Sequence, residues 1–418
     1  MHRIFFENVR CFSSRQDVPL APLTVLVGEN SSGKSTFLAL VRLAWDLMMK
    51  LRTPDFNEEP FLLGAFDQIV SAKSNKDFFI IGAETSLSEG RVATIRVRFE
   101  ARRGQPALVE SFWVSPPYSL SARYGKEYHI TNLTFEAPSG QLQAEWAPTK
   151  GPLSLREALG GMGMAEEVVL RGGVAHEDLT KCVLSIGDFV GRNDIRPYAF
   201  APIRTRPQRT YDPIREMETS EGSHVPTLLA STLLREPEWK GLIEALDAFG
   251  QRSGLFREIE VRRLGDSESD PFQIRVCIDG QMANLIDVGY GVSQVLPIVV
   301  DTLRGKVGGA YLLQQPEVHL HPKAQAELGS FLGALAKLQN KQFIIETHSD
   351  YLVDRIRMDI RDKKNGLRPE DVSLLYFERR NGEAQIHRLE LDEQGNIVNA
   401  PPGYRSFFLE EERRFLGG

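Results

Sequence analysis

Cysteine is scarce in this chain. Its 418 residues hold three, Cys11, Cys182 and Cys277, with no CxxC pair among them. Scattered single thiols exclude a disulfide framework and fit a reducing compartment, where they serve as packing residues. Long apolar runs are missing too: no stretch approaches the ~18 residues that a membrane-spanning helix takes. The opening MHRIFFENVRCF lacks the apolar core and small-residue cleavage site of a secretory leader. The expectation is a cytoplasmic protein with no membrane partner. Surplus positive charge is lacking as well. With 50 Lys and Arg against 56 Asp and Glu, the net charge is −6, which argues against wholesale coating of DNA or anionic lipid and leaves only a local basic groove open. Long heptad runs and internal repeats are absent. So are G-x-S-x-G, H-E-x-x-H and any cysteine beside a base.

What is present has the length for two or three lobes. RIFFEN (3–8) and LTVLVG (23–28) read as strands, the second apolar throughout, as a doubly covered strand should be. From Lys34 to about Leu51 the chain is rich in Leu, Phe, Trp and Met without Gly or Pro, which predicts a buried helix. Between 77 and 145, alternating segments such as VATIRVRFE and HITNLTFEA, separated by Gly, Pro, Ser and Asn, predict an antiparallel meander. A Gly-rich break, GGMGM (160–164), a helix at 226–249 and a hairpin at 257–287 follow. A strand at 310–314, a helix at 322–339, QFIIET (342–347) and a helix at 350–358 return to αβ alternation. The pattern is an α/β core split into 1–55 and 285–360, a β-rich lobe at 56–150, a helical and mixed lobe with the hairpin at 151–284, and a C-terminal segment at 361–418.

Gly28-Glu29-Asn30-Ser31-Ser32-Gly33-Lys34-Ser35 satisfies G-x-x-x-x-G-K-[ST] between an apolar strand and a helix. Glycines let such a loop wrap a phosphate, and its N–H groups and helix dipole stabilise the anion. Lys34 would reach the β- and γ-phosphates of ATP and Ser35 would ligate Mg²⁺. Near 287–297, DVGYGVSQVLP offers a second Gly-Ser helix start at Gly289, Gly291, Ser293 and Gln294, suited to a γ-phosphate held by another subunit. FIIETHSD ends a strand on Thr347-His348-Ser349, where His348 could sense that phosphate. Arg204, Arg206 and Arg209 cluster in APIRTRPQR, as a phosphate or DNA contact or as an interlobe salt-bridge hub.

GENSSGKST, GYGVSQ, QQPEVHLHP and ETHSD, in that order, resemble the ABC-type ATPase heads of the RecF, SMC and OLD kind. They are similar in particular to bacterial AAA family ATPases with a DUF3696-type C-terminal segment, as found in prokaryotic anti-phage systems. YAFAPIRTRPQRTY (198–211) and LDEQGNIVNAPPGYRSFF (391–408) resemble that group as well. The resemblance implies an α/β P-loop ABC-type head, split by a long insertion that holds the meander and a helical lobe. It implies a homodimer, or a higher oligomer, with ATP and Mg²⁺ sandwiched between Gly28, Asn30, Ser31, Gly33, Lys34, Ser35 and Thr36 of one copy and Gly291, Ser293 and Gln294 of the other. A separate effector, a nuclease or toxin, is the implied partner, and DNA is a further candidate. His319 and His321 fall inside the family motif, which outweighs a metal pair. No DxD motif follows Asp350, which argues against nuclease activity in the chain itself.

Against that pattern Gln314 stands where an acid supports the magnesium, and Gln315 where the general base stands. An amide can orient water through its carbonyl but cannot accept a proton at neutral pH. Either other acids substitute, Glu317 and Glu346 being the candidates, or ATP acts mainly as a clamp. The expectation is a slow ATPase serving as a conformational switch. A RecF-like DNA-binding ATPase and a nearly inactive nucleotide-gated scaffold are the alternatives.

Overall fold

The computed structural model describes residues 1–50, 54–87, 90–125, 130–146, 168–178, 180–182, 196–214, 217–233, 240–404 and 413–414. The chain opens with β1 (Arg3–Glu7), β2 (Gln16–Pro19), β3 (Leu23–Gly28), helix α1 (Lys34–Lys50) and the single turn α2 (Phe66–Ile69). Then come β4 (Phe78–Ser86), β5 (Val92–Arg102), β6 (Gln105–Ser115), β7 (Tyr118–Tyr124), β8 (Ile130–Ala137), β9 (Gly140–Trp146) and β10 (Val168–Gly172). The short β11 (Tyr198–Phe200) precedes α3 (Val225–Leu233), α4 (Lys240–Ser253), β12 (Ile259–Arg263), β13 (Phe272–Ile278) and β14 (Gln281–Asn284). The last stretch runs α5 (Tyr290–Arg304), β15 (Ala310–Gln314), α6 (Pro322–Leu338), β16 (Gln342–Glu346), α7 (Asp350–Arg361), β17 (Val372–Arg380) and β18 (Glu383–Leu389).

Two compact units result. One comprises Met1–Leu20, Glu29–Arg196 and Phe377–Ile386; the other comprises Ala21–Gly28, Pro197–Tyr376 and His387–Gly418. The first is built on a nine-stranded sheet in the order β10-β9-β8-β7-β6-β5-β4-β1-β2, antiparallel at every pairing. Strand β5 shows why these residues make such a sheet. Ala93, Ile95, Val97 and Phe99 alternate inward while Arg96 and Arg98 alternate outward, the period of two that one dry face demands. Helix α1 packs on β1, β4 and β5. Two aromatic clusters anchor the unit: Phe6, Phe12, Phe37 and Phe377 meet edge to face, and Phe79 packs on Phe56, Phe66 and Phe99.

The second unit holds a six-stranded sheet in the order β11-β15-β16-β3-β17-β18, parallel from β11 to β3, and a small β12-β13-β14 sheet. β3, β15 and β16 are apolar along almost their whole length and buried, as central parallel strands covered on both faces should be. The units divide the chain differently from composition. The sequence places the helix after Lys34 with the α/β core, whereas its contacts group it with the antiparallel sheet it lies on. The helix expected at 226–249 is described as α3 and α4. GGMGM at 160–164, the boundary at 150/151 and residues 405–408 of the C-terminal motif lie outside the described residues. All three cysteines are free thiols, Cys182 and Cys277 buried. No helix among the described residues is long and apolar enough to cross a membrane.

Phe79 is fully buried at the centre of its cluster. Phe79→Ala is expected to destabilise the antiparallel-sheet unit by about 3–5 kcal/mol, the range for large buried aromatics. Urea unfolding would check this, and a loss under about 1 kcal/mol would mean the cluster closes over the deletion.

Candidate functional site

The loop after β3 owes its shape to three positive φ angles, at Gly28 (139°), Ser31 (58°) and Gly33 (100°). From Ser31 to Gly33 the sign of φ alternates, the backbone pattern from which anion nests are made. Gly33 is required twice over. Its φ disfavours a side chain, and a Cβ there would stand 2.6 Å from the Phe12 ring and 2.8 Å from Cys11 Sγ. Ser31 adopts the left-handed region without being glycine, a conformation that costs energy and is held by its surroundings. Ser32 Oγ donates to the Glu29 carbonyl (2.8 Å), and the buried Lys34 Nζ donates to the same oxygen (2.6 Å). Asn30, Ser31 and Ser35 are exposed and Thr36 is buried.

Two arginines that the sequence reading missed join this loop. Arg10 donates to Thr36 Oγ1 (3.4 Å), to the Leu63 carbonyl (3.0 Å) and to the Gln68 carbonyl (3.3 Å). It lines an open cavity of about 510 Å³ with Asn57, Leu62, Leu63, Gly64 and Gln68. Burial pulls its guanidinium below the usual range, though arginine stays cationic at neutral pH. A charged residue amid FFENVRCF was the available signal. Arg379 donates to the Ser31 carbonyl (3.1 Å) from far along the chain, and no local pattern foretells it.

In the other unit, strand register decides what gathers. Leu26 of β3 pairs with Glu346 of β16, and Glu346 pairs with Gln314 of β15. The last two residues of β3 and the ends of β15 and β16 therefore share one carboxyl edge, where open parallel sheets bind ligands. Gln314 and Glu346 are buried. Gln315 turns with φ of 44°, its N–H donating to the Glu346 carbonyl (2.8 Å). Glu317 is 7% exposed, and its Oε1 accepts the backbone N–H of His348 (2.7 Å). Its Oε2 has no hydrogen-bond partner among the described residues. Burial pushes this carboxyl up, against the His348 N–H, the Thr347 hydroxyl and the Arg204 charge, which pull it down. His348 itself is exposed, and Ser349 caps α7 by accepting from the Leu352 N–H (3.0 Å).

The start of α5 packs into the same unit. A Cβ on Gly291 would lie 2.8 Å from the His319 carbonyl, so the helix can approach the turn after β15 only with glycine there. Ser293 is buried, and its hydroxyl donates back to the Tyr290 carbonyl (2.9 Å). Gln294 is buried too, and its amide grips the backbone of Arg204 by accepting from the N–H (3.1 Å) and donating to the carbonyl (3.3 Å). Gly289 and Tyr290 are the exposed residues at this helix start. Of the three clustered arginines, Arg204 is buried, Arg206 is exposed, and Arg209 is exposed and paired with Asp287. His321 caps α6, its ring accepting the Lys323 N–H. Among the described residues, no group of three or more His, Cys, Asp or Glu could hold a metal ion.

Residues 212–353, from the approach to β12 through the first turn of α7, match the family model described as AAA ATPase domain. Residues 367–411 match the model described as protein of unknown function (DUF3696). The chain carries an AAA ATPase domain followed by a DUF3696 segment. No curated protein matches it. Among solved structures, an SMC head bound to the C-winged helix domain of ScpA is similar at 12% identity, with 94% of this chain and 98% of that one covered and a TM-score of 0.44. The SMC head domain from Thermotoga maritima is similar at 12% identity, with coverages of 93% and 98% and a TM-score of 0.41. An SMC head with an extended coiled coil, bound to a ScpA domain derived from Pyrococcus furiosus, is similar at 11% identity, with 99% coverage of both chains and a TM-score of 0.44. The ATPase-domain match takes in Gln314, Gln315, Glu317, Glu346 and His348, and the P-loop precedes it.

Gly33→Ala adds a methyl group that must displace Phe12 or Cys11. The variant is expected to fold and to bind a fluorescent ATP analogue at least about ten-fold more weakly, a penalty of about 1.4 kcal/mol. Unchanged affinity would show that the loop's shape does not depend on this glycine.

Proposed function

We propose that this protein is an ABC-type ATP-dependent switch that hydrolyses slowly and joins two copies of itself around ATP. The observation that supports this best is the shared carboxyl edge: β3, which feeds the P-loop, lies beside the strand ending in Glu346, and that strand lies beside the one ending in Gln314. The residues present fit a nucleotide and its magnesium. The nest at Gly28, Ser31 and Gly33 offers N–H donors, Lys34 offers a cation, and Asn30 and Thr36 border them. The cavity beside Arg10 has the volume for a nucleoside. Mg²⁺ is usually held by phosphates, waters and one or two protein oxygens; the exposed Ser35 hydroxyl beside Lys34 is the protein oxygen this loop offers.

ATP, when bound, supplies the phosphoryl group whose departure resets the switch. Gln315 can orient a water molecule but not deprotonate it. Glu317 is the better-placed acid, because its Oε2 is unbonded among the described residues while its Oε1 is tied to His348. A carboxyl raised by desolvation is also a stronger base than an exposed one. Glu346 is the second acid. The bond from Glu317 to the His348 N–H joins the catalytic turn to the residue proposed to sense the γ-phosphate. In the proposed dimer the helix start at Gly289, Tyr290 and Gly291 meets the partner's nucleotide, with Ser293 and Gln294 shaping it from beneath. The DUF3696 segment and the resemblance to anti-phage ATPases support a separate effector, a nuclease or toxin, as the recipient of the signal.

Two measurements test this. Light scattering with and without ATP should show dimerisation in the wild type and none in Lys34→Ala; ATP-dependent assembly surviving that change sinks the sandwich. Steady-state turnover should lie below about 10 s⁻¹, and Gln315→Glu should raise it by about a hundred-fold, the size of a general-base contribution. Fast wild-type turnover, or no gain in the variant, removes the slow-switch reading.

A further inference from the structure

Arg204 is 2% exposed, among the most deeply buried large side chains described here. Burial lowers its pKa to about 10, so it stays cationic at neutral pH. Only one of its three guanidinium nitrogens is satisfied. Nη2 donates to both the Gln314 carbonyl (3.3 Å) and the Gln315 carbonyl (3.5 Å). Nε and Nη1 have no partner among the described residues. The charge acts on Glu317, yet the two side chains share no hydrogen bond. A buried cation so incompletely bonded is a poor stabiliser, since each unmade bond leaves a desolvated donor uncompensated. Its backbone, meanwhile, is held at both N–H and carbonyl by the Gln294 amide, from the second turn of α5.

These contacts form one unbroken tie, from the α5 helix through Arg204 to the two carbonyls that bracket the left-handed backbone of Gln315. We propose that Arg204 is a positioning residue which fixes the direction of the Gln315 amide and couples it to the start of α5. Resting on the ATPase reading above, this adds a route by which engagement of the α5 start reaches the water-orienting residue. A shift of α5 drags Gln294, hence Arg204, hence the carbonyls that set the Gln315 turn. Because Nη2 alone makes both carbonyl contacts, a lysine ammonium can replace it, whereas a neutral amide removes the charge. The arrangement therefore specifies which substitution is tolerated.

The test uses the full chain and its Arg204→Gln, Arg204→Lys, Gln294→Met and Arg204→Gln/Gln294→Met variants, with steady-state kinetics, binding of a fluorescent ATP analogue and thermal unfolding without nucleotide. Arg204→Gln should lose about ten- to a hundred-fold in kcat, the usual effect of a misplaced catalytic geometry, with KM and analogue affinity within about two-fold. Arg204→Lys should recover most of that loss, and Gln294→Met should lower kcat in the same way, which keeps the test alive if Arg204→Gln does not fold. In the nucleotide-free protein both changes cut the same tie, so the double variant should melt little lower than the worse single variant. Additive melting losses, a lysine variant as slow as the glutamine one, or an unchanged kcat in Arg204→Gln each overturn the proposal. Failure of the wild type to bind the analogue would instead overturn the ATPase reading itself, while the melting comparison would still decide whether the tie exists.

Discussion

The register of three parallel strands is the constraint on which the site depends. Pairing of Leu26 with Glu346, and of Glu346 with Gln314, aligns the ends of β3, β16 and β15. A slip of one residue in either pairing would turn every side chain of a strand to the opposite face. Continuous burial of Leu23–Leu26, Ala310–Gln314 and Phe343–Glu346 on both faces makes such a slip costly. The chemistry of the edge is thus inherited from the apolar strands beneath it: Gln314 and Glu346 are polar residues carried into burial by the runs that precede them, and the P-loop starts where β3 has no apolar residues left.

Burial also bears on the two neutral residues at this edge. An ionised carboxylate in that environment needs a cation or several donors to offset its desolvation. Glutamine needs only hydrogen bonds. With Gln314 and Gln315 neutral, Arg204, Glu317 and Glu346 are charged residues around the turn, and Arg204 Nε and Nη1 and Glu317 Oε2 have no hydrogen-bond partner among the described residues. That is a site whose electrostatics are left open on the protein's side, in keeping with phosphoryl transfer, where catalysis is chiefly positioning and charge stabilisation.

Most of the framework was legible in the sequence because it rests on local signals. The strand-loop-helix around Lys34, the alternation through β5 and β8 and the apolar strands before Gln314 and Thr347 each follow from periodicity or from glycine at a turn. The fate of Ser293 was less legible. A Gly-Ser helix start reads as an anion cradle, whereas Ser293 is buried and its hydroxyl bonds the Tyr290 carbonyl of its own helix. Arg204 was visible as one of three arginines, and nothing local separates it from Arg206 or Arg209. Only tertiary packing buries the first, exposes the second and pairs the third. Arg379 beside Ser31 is the extreme case, a contact between residues 348 positions apart.

The C-terminal segment bears on the same helix that carries the His348 end of the site. Arg357 of α7 donates to the Gly395 carbonyl (2.7 Å), and a Cβ on Gly395, at φ of 70°, would stand 2.2 Å from the Arg357 carbonyl. Tyr376 donates to the Gly403 carbonyl (3.0 Å) and packs edge to face on Tyr404. Helix α7 is therefore capped at its start by Ser349 and held at Arg357 by the DUF3696 segment. Its first residues can move only if the cap opens or the segment shifts with them. A helix held this way resists small displacements and yields as a whole, which is the mechanical property a two-state element needs.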